Sequence, residues 1–359
     1  MKGPRQRCLS ARRATGDDTD AAVGQGVIMH RRDFLRKGSA AASLAAATRK
    51  ILEPLATEAK EAASDTSGKK AAAPIPRRKM GKTGVELSII ALGGVVLMDT
   101  EQPFANNLVA EAFDRGINYF DVAPEYGNAQ ERLGPALEPY RQRVFLACKT
   151  LERSKTGAAA ELDQSLKLLR TDHVDLYQLH ALTKMSDLDQ ALGPGGAMEA
   201  FVAARQAGKV RFLGFSAHSV ETALAALDRF DFDTILFPTN FVLYSQANFG
   251  PQVHARAREK HMGILALKSM AKTRWPASAK EHPHPKCWYE PCAMPEEASL
   301  ALRWTLSQPI TAAIPPGDEQ LFRLAMDVAQ HFEPLREEEE KTLMARAVGV
   351  EPLFKLGNA

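Results

Sequence analysis

The 359-residue chain has few cysteines, no long apolar run and almost no net charge. Each shortage closes off a class of function. Of the four cysteines, Cys8 falls outside the expected fold, and Cys148 reads as a small buried hydrophobe in a strand. Cys287 and Cys292 lie in "KCWYEPCAM". They can form a disulfide, half a metal site, or two free thiols. The free thiols are favoured and no metal is expected, because no second Cys/His cluster of ligand spacing accompanies them. The mild apolar run 38–48 covers 11 residues, against the ~20 that a spanning helix needs, so no membrane span is expected. Net charge is +3, yet residues 1–80 carry 17 Lys/Arg against 8 Asp/Glu. The remainder carries 29 against 35, so the body is acidic and offers no basic face for nucleic acid. At 45% hydrophobic and 25% charged residues, the composition is that of a globular protein.

The excess positive charge has a pattern of its own. Residues 30–48 read "HRRDFLRKGSAAASLAAAT", with Arg31 and Arg32 ahead of Phe34, Leu35 and the alanine-rich run. This order resembles a twin-arginine export signal, which implies an export machinery as partner and an exported, periplasmic protein. The alternative is a basic amphipathic helix on a cytoplasmic protein. Met29 stands directly before the motif and is a second candidate start. The expected division is therefore 1–48 signal region, 49–75 linker rich in Ala, Lys, Glu and Ser, and 76–359 folded body.

In the body, strand and helix patterns alternate. Apolar runs such as "VELSIIALGG" (85–94), "INYFDV", "RVFLACKT", "HVDLYQLH", "VRFLGFS", "FDTILFP", "GILALKS" and "ITAAIPP" read as strands, and a helical segment follows each. Eight such units, apolar on both strand faces, predict a single α/β domain, a (β/α)8 TIM barrel with an N-terminal hairpin and a C-terminal helical extension. The rival is a doubly wound sheet, which calls for a G-x-G-x-x-G after a strand. None follows these strands, and Gly193, Gly195 and Gly196 in "GPGGAM" read as a helix-entry turn.

Four polar residues interrupt this pattern at one topological position. In "INYFDVAPEYG", Asp121 ends the second strand and Tyr126 lies in the loop beyond it. Lys149 ends the third strand and His180 the fourth. A barrel converges these C-terminal strand ends on the face that carries function. The set suits proton transfer to a carbonyl oxygen. A phenol is a weak acid near neutral pH, an ammonium beside it lowers its pKa, and a buried ammonium needs a carboxylate. His180 would donate to the oxygen or position it.

The same stretches resemble the aldo/keto reductase family over roughly residues 77–333. The motifs are "RRKMGKTGVELSIIALGG", "GINYFDVAPEYGNAQERLGPAL", "ACKT", "LDQSLKLLRTDHVDLYQLH" and "GKVRFLGFSAHS". The resemblance implies Tyr126 as general acid, tuned by Lys149 and Asp121, with His180 positioning a small-molecule aldehyde or ketone. It also implies NADP(H), with NAD(H) as the alternative, lying across the C-terminal face. The positions that would hold the cofactor are Gly93, Gly94, Ser216, Ala217, Lys268, Ser269, Pro315, Pro316, Gly317, Gln320 and Arg323. Several depart from the family pattern: Ala217 stands where many members have Asn, Leu236 where Gln is frequent, and "LKSMAK" offers Lys268, Ser269 and Met270 where an aromatic often stacks. Near the eighth strand only Arg323 offers a cation, against Asp318 and Glu319. A non-catalytic barrel that binds the nucleotide as a sensor stays open as a second reading. So does a metal- or cluster-assisted redox protein using Cys287 and Cys292.

Overall fold

The computed structural model describes residues 73–279 and 281–356. The twin-arginine stretch and nearly all of the expected linker lie outside them. Ile75 is already buried in the body, and its N–H donates to Arg115 O at 2.9 Å.

The strands are β1 Arg77–Lys79, β2 Glu86–Ser88, β3 Leu92–Gly93, β4 Tyr119–Asp121, β5 Phe145–Thr150 and β6 Val174–Leu182. They continue with β7 Val210–Ala217, β8 Thr234–Pro238, β9 Gly263–Leu267, β10 Ala271–Arg274, β11 Tyr289–Pro291 and β12 Ala312–Ile314. Eight form one sheet in the order β12-β9-β8-β7-β6-β5-β4-β3, every pair parallel. The ends meet where Ile90 bridges Ala313, with Ala91 N–H donating to Ala313 O and Ala313 N–H to Ile89 O. The result is the expected (β/α)8 barrel. All six residues of β5 are buried, as a parallel strand covered on both faces requires.

Two apolar layers hold the barrel. Inside lie Ala91, Tyr119, Phe145, Ala147, Leu176, Leu236, Leu265 and Ala312. The antiparallel β1–β2 hairpin adds Met80 and Leu87 to this cluster, so it closes the barrel at the N-terminal ends of its strands. The second layer lies between sheet and helices. Helix starts follow local chemistry: Ser154, Ser219, Asn240 and Asp318 each accept from a backbone N–H in the first turn.

The stretch 85–94 is not one strand. It contributes β2 to the hairpin and β3 to the barrel, because Ile89 and Ile90 turn the chain from one sheet to the other. The segments 181–196 and 271–295 hold the helix Met185–Leu192 and the β10–β11 hairpin. Gly196 N-caps the helix Ala197–Gln206, in keeping with a helix-entry turn. The C-terminal extension is the helix Glu337–Ala347. It packs through Leu343 and Ala347 against Phe241, Leu300 and Trp304. Beyond it, Thr273 Oγ1 donates to Glu351 O at 2.8 Å and an Arg274 nitrogen to Leu353 O at 3.1 Å, fastening the tail to β10.

Candidate active site

Register and strand period together build the site. Asp121 lies opposite Ala147 in β5, and Lys149, two residues on, points to the same inner face. There the Lys149 ammonium donates to the Asp121 carboxylate and, at 3.3 Å, to Val122 O. Both side chains are almost wholly buried. Tyr119 OH and Gln178 Nε2 each donate to Asp121 Oδ2 at 3.3 Å. The carboxylate thus has three donors, which a buried charge needs if it is to stay ionised. Burial and the neighbouring carboxylate hold the Tyr119 phenol well above its usual pKa, so it stays a donor.

Tyr126 reaches this pair from the loop after β4. The Lys149 ammonium lies 5.1 Å from its ring centroid, within cation–π range. Burial pushes the phenol's pKa up more than Lys149 draws it down, and Asp121 pushes it further. The expected lowering by lysine is therefore a partial offset, and the phenol stays protonated. Burial likewise pulls the Lys149 ammonium down, but Asp121 together with Tyr126 more than offsets this, and its pKa stands above the usual lysine value.

His180 meets Tyr126 edge to face, with centroids 5.9 Å apart. Its Nδ1 lies 3.0 Å from Glu125 Oε2. Burial lowers the imidazole's pKa, so the ring is neutral near pH 7. Burial raises that of Glu125, but His180, a backbone hydrogen bond and Lys149 together bring it below the usual carboxylate value. Nδ1–H then donates to Glu125, leaving Nε2 as the ring nitrogen free for a ligand. The backbone around His180 is fixed from two sides: Arg153 donates to His180 O at 2.5 Å, and Ala181 N–H donates to Ser216 Oγ at 2.7 Å.

These groups open onto a cavity of about 260 Å3. Of the expected positions, Gly93, Asp121, Tyr126, His180, Ser216, Lys268, Pro315 and Gly317 line it, and Lys149 stands behind Asp121. The others do not. Ala217 points into the helix layer because Ser216, its neighbour in the strand, points inward. Gly94 packs on Val122, Ser269 Oγ donates to Ile314 O at 3.3 Å, Pro316 is buried, and Gln320 is exposed. Arg323 is held on the outer side by Glu111, at 3.0 Å, and by Glu319. Asp318 caps the helix Glu319–Gln330 through Leu321 N–H at 3.0 Å, so the acidic pair serves the helix start.

Sequence reading missed Glu125, His218, Lys286, Trp288 and Tyr289. Glu125 carried a signal, a carboxylate beside the phenol residue. Strand period also puts Tyr119 with Asp121, and Gln178 with His180. Trp288 and Tyr289 reach the cavity through the β10–β11 hairpin, which has no such mark. Among the described residues, no cluster of three or more His, Cys, Asp or Glu is placed to hold a metal. Cys287 and Cys292 are free, buried thiols, both with raised pKa because of burial.

The aldo/keto reductase family profile matches residues 90–283. YqkF of Bacillus subtilis, an uncharacterized oxidoreductase, is 27% identical over 304 residues, covering 75% of this chain and 95% of that protein. L-galactose dehydrogenase of Arabidopsis thaliana is 29% identical over 170 residues, which is 43% of this chain and 52% of that enzyme. The holo form of aldo-keto reductase AKR11C1 from Bacillus halodurans superposes with a TM-score of 0.60 at 20% identity. That match covers 78% of this chain and 98% of that structure, a likeness of fold.

Proposed function

The chain belongs to the aldo/keto reductase family, and on that footing we propose that it reduces an aldehyde or ketone, with Tyr126 as general acid. The observation that carries this reading is the phenol kept protonated beside a buried lysine–aspartate pair, at the mouth of a cavity. The nicotinamide cofactor supplies the hydride when bound. Tyr126 gives its proton to the substrate oxygen as that oxygen gains charge, and the Lys149 ammonium stabilises the phenolate left behind. Asp121 holds the ammonium in place, with Tyr119 and Gln178 holding Asp121. His180, anchored through Nδ1 to Glu125, turns Nε2 to the reacting oxygen and its proton.

The wall fits a dinucleotide. A Cβ on Gly93 would come 2.7 Å from Ile314 Cγ2, and one on Gly317 would run into Val95, so glycine lets these wall segments pack closely. Gly317 also precedes the N-terminus of a twelve-residue helix, where backbone N–H groups favour phosphate. Lys286 lines the same part of the wall.

A ribose 2′-phosphate would have to draw Arg323 away from two carboxylates. We therefore expect NADPH and NADH to bind within roughly tenfold of one another, a difference of about one weak charge pair. Titration by nicotinamide fluorescence, followed by a carbonyl assay, tests both halves. Strong NADPH selectivity would contradict the account of Arg323. Binding of cofactor with no turnover on any carbonyl would favour the sensor reading.

We also infer export through the twin-arginine stretch, on its residue order alone. Replacing Arg31 and Arg32 together by lysine keeps the charge and removes the pair that a receptor reads. The expected result is accumulation in the cytoplasmic fraction. Equal export of variant and wild type would count against a twin-arginine route.

A further inference from the structure

One sector of the cavity holds two polar groups that the reaction above does not use. Lys268 follows β9 with φ of +66°, a left-handed conformation that a side-chain-bearing residue seldom adopts unless its surroundings impose it. Its ammonium lies 4.9 Å from the Trp288 ring centroid and 5.3 Å from that of Tyr289. Among the described residues, no carboxylate lies within ion-pair distance of it. Every other lysine that lines the cavity or stands behind it has an oxygen partner: Lys149 has Asp121, and Lys286 donates to Val96 O at 2.9 Å.

His218 stands on the same wall. Strand alternation returns it to the face that Ser216 occupies. Its ring stacks on Phe354 at 5.3 Å, and Phe354 in turn meets Trp288 at 6.2 Å. Its Nε2 is enclosed and has no hydrogen-bond partner. A buried polar atom without a partner is costly, and native proteins fill such places with ligand or water. Tyr126 and His180 line the same cavity, so the pair sits beside the proton-transfer residues.

We propose that the substrate is a carbonyl compound that also carries an anionic oxygen group, which Lys268 and His218 bind within the aromatic walls of Trp288, Tyr289 and Phe354. This rests on the reductase reading and narrows its substrate class. The ammonium supplies the counter-charge and the imidazole Nε2–H a hydrogen bond. The low-dielectric aromatic wall strengthens both. Lacking an anionic partner, the ammonium is pulled by burial down to about 8, and burial lowers His218 to about 3, leaving the imidazole neutral. A bound anion would raise the Lys268 value back toward that of an ordinary lysine.

The test has a binding arm and a turnover arm. Succinate, a carboxylate that cannot be reduced, is titrated against the chain without cofactor, following tryptophan fluorescence. Saturable binding is expected. It should weaken roughly 10- to 100-fold in Lys268→Met and be kept in Lys268→Arg, the range for a charge-assisted hydrogen bond. In the turnover arm, kcat/KM for succinic semialdehyde is divided by that for butanal, and that for glyceraldehyde phosphate by that for glyceraldehyde. At least one ratio should exceed tenfold in the wild type and collapse in Lys268→Met; which one does so names the anion. No saturable succinate binding together with ratios near one would overturn the proposal. So would a loss of cofactor affinity in Lys268→Met as large as the loss for succinate, since the lysine would then serve the cofactor's phosphates. Succinate binding without turnover of any carbonyl would leave the anion site standing and remove the reductase reading instead.

Discussion

Tyr126→Phe is expected to lower carbonyl turnover by roughly 100- to 10,000-fold, the usual contribution of a positioned acid, with reduced-cofactor affinity near that of the wild type. Phenylalanine keeps the ring that meets His180 edge to face and the face that lies 5.1 Å from the Lys149 ammonium. Packing and cation–π contact therefore survive, and only the transferable proton is lost. The loss should fall on kcat and kcat/KM together, the mark of an interaction that matters most in the transition state. Steady-state kinetics on any carbonyl that the wild type reduces, with a fluorescence titration of cofactor alongside, decide it. A variant turning over at the wild-type rate would remove Tyr126 from the role of acid.

Much of this arrangement was legible because the barrel imposes two simple periods. Parallel strands buried on both faces have almost no room for charge, so Asp121 and Lys149 stood out against "INYFDV" and "RVFLACKT". Their place at strand ends said where they would meet. The same period of two, pressed further, would have found the donors that hold Asp121: Tyr119 is two residues before it, and Gln178 two before His180. Ser216 and Ala217 show the rule from the other side, since adjacent strand residues cannot both face the cavity. The cofactor wall was less legible for a different reason. It is assembled from loops, where position along the chain says little about direction. Arg323 was expected to reach back to a phosphate, yet its partner Glu111 is 212 residues away in sequence. No local pattern announces that pair. Trp288 arrives on the short β10–β11 hairpin. Lys268, Ser269 and Met270 stood where a stacking aromatic was expected, and the rings beside Lys268 are supplied by β11 and the residue before it.

Lys149→Met is expected to damage stability and activity together, through one cause. The ammonium is the only cation that the described structure places within ion-pair distance of Asp121. Methionine fills a similar volume, so the effect is electrostatic and leaves no large cavity. Asp121 stays buried, with Tyr119 and Gln178 as its remaining donors, and losing one partner of a buried pair costs roughly 3–5 kcal/mol. The pH dependence has a definite sign. In the wild type, the raised Lys149 pKa is a contribution that is full below the pKa of an unfolded lysine. It is lost only as pH climbs through the folded value, so it is constant across the neutral range. The variant lacks that contribution, so the stability gap between wild type and variant should be constant across the neutral range and narrow only above the pKa of an unfolded lysine, as pH climbs toward the folded value. Denaturant unfolding from neutral to alkaline pH measures it, and a gap that does not narrow there would mean that folding does not raise the Lys149 pKa. The phenol reports separately. Losing the charge that draws Tyr126 down should raise its pKa further, so turnover falls while the alkaline limb of any remaining activity moves to higher pH. An unchanged alkaline limb would separate Lys149 from Tyr126 and confine the lysine to holding Asp121.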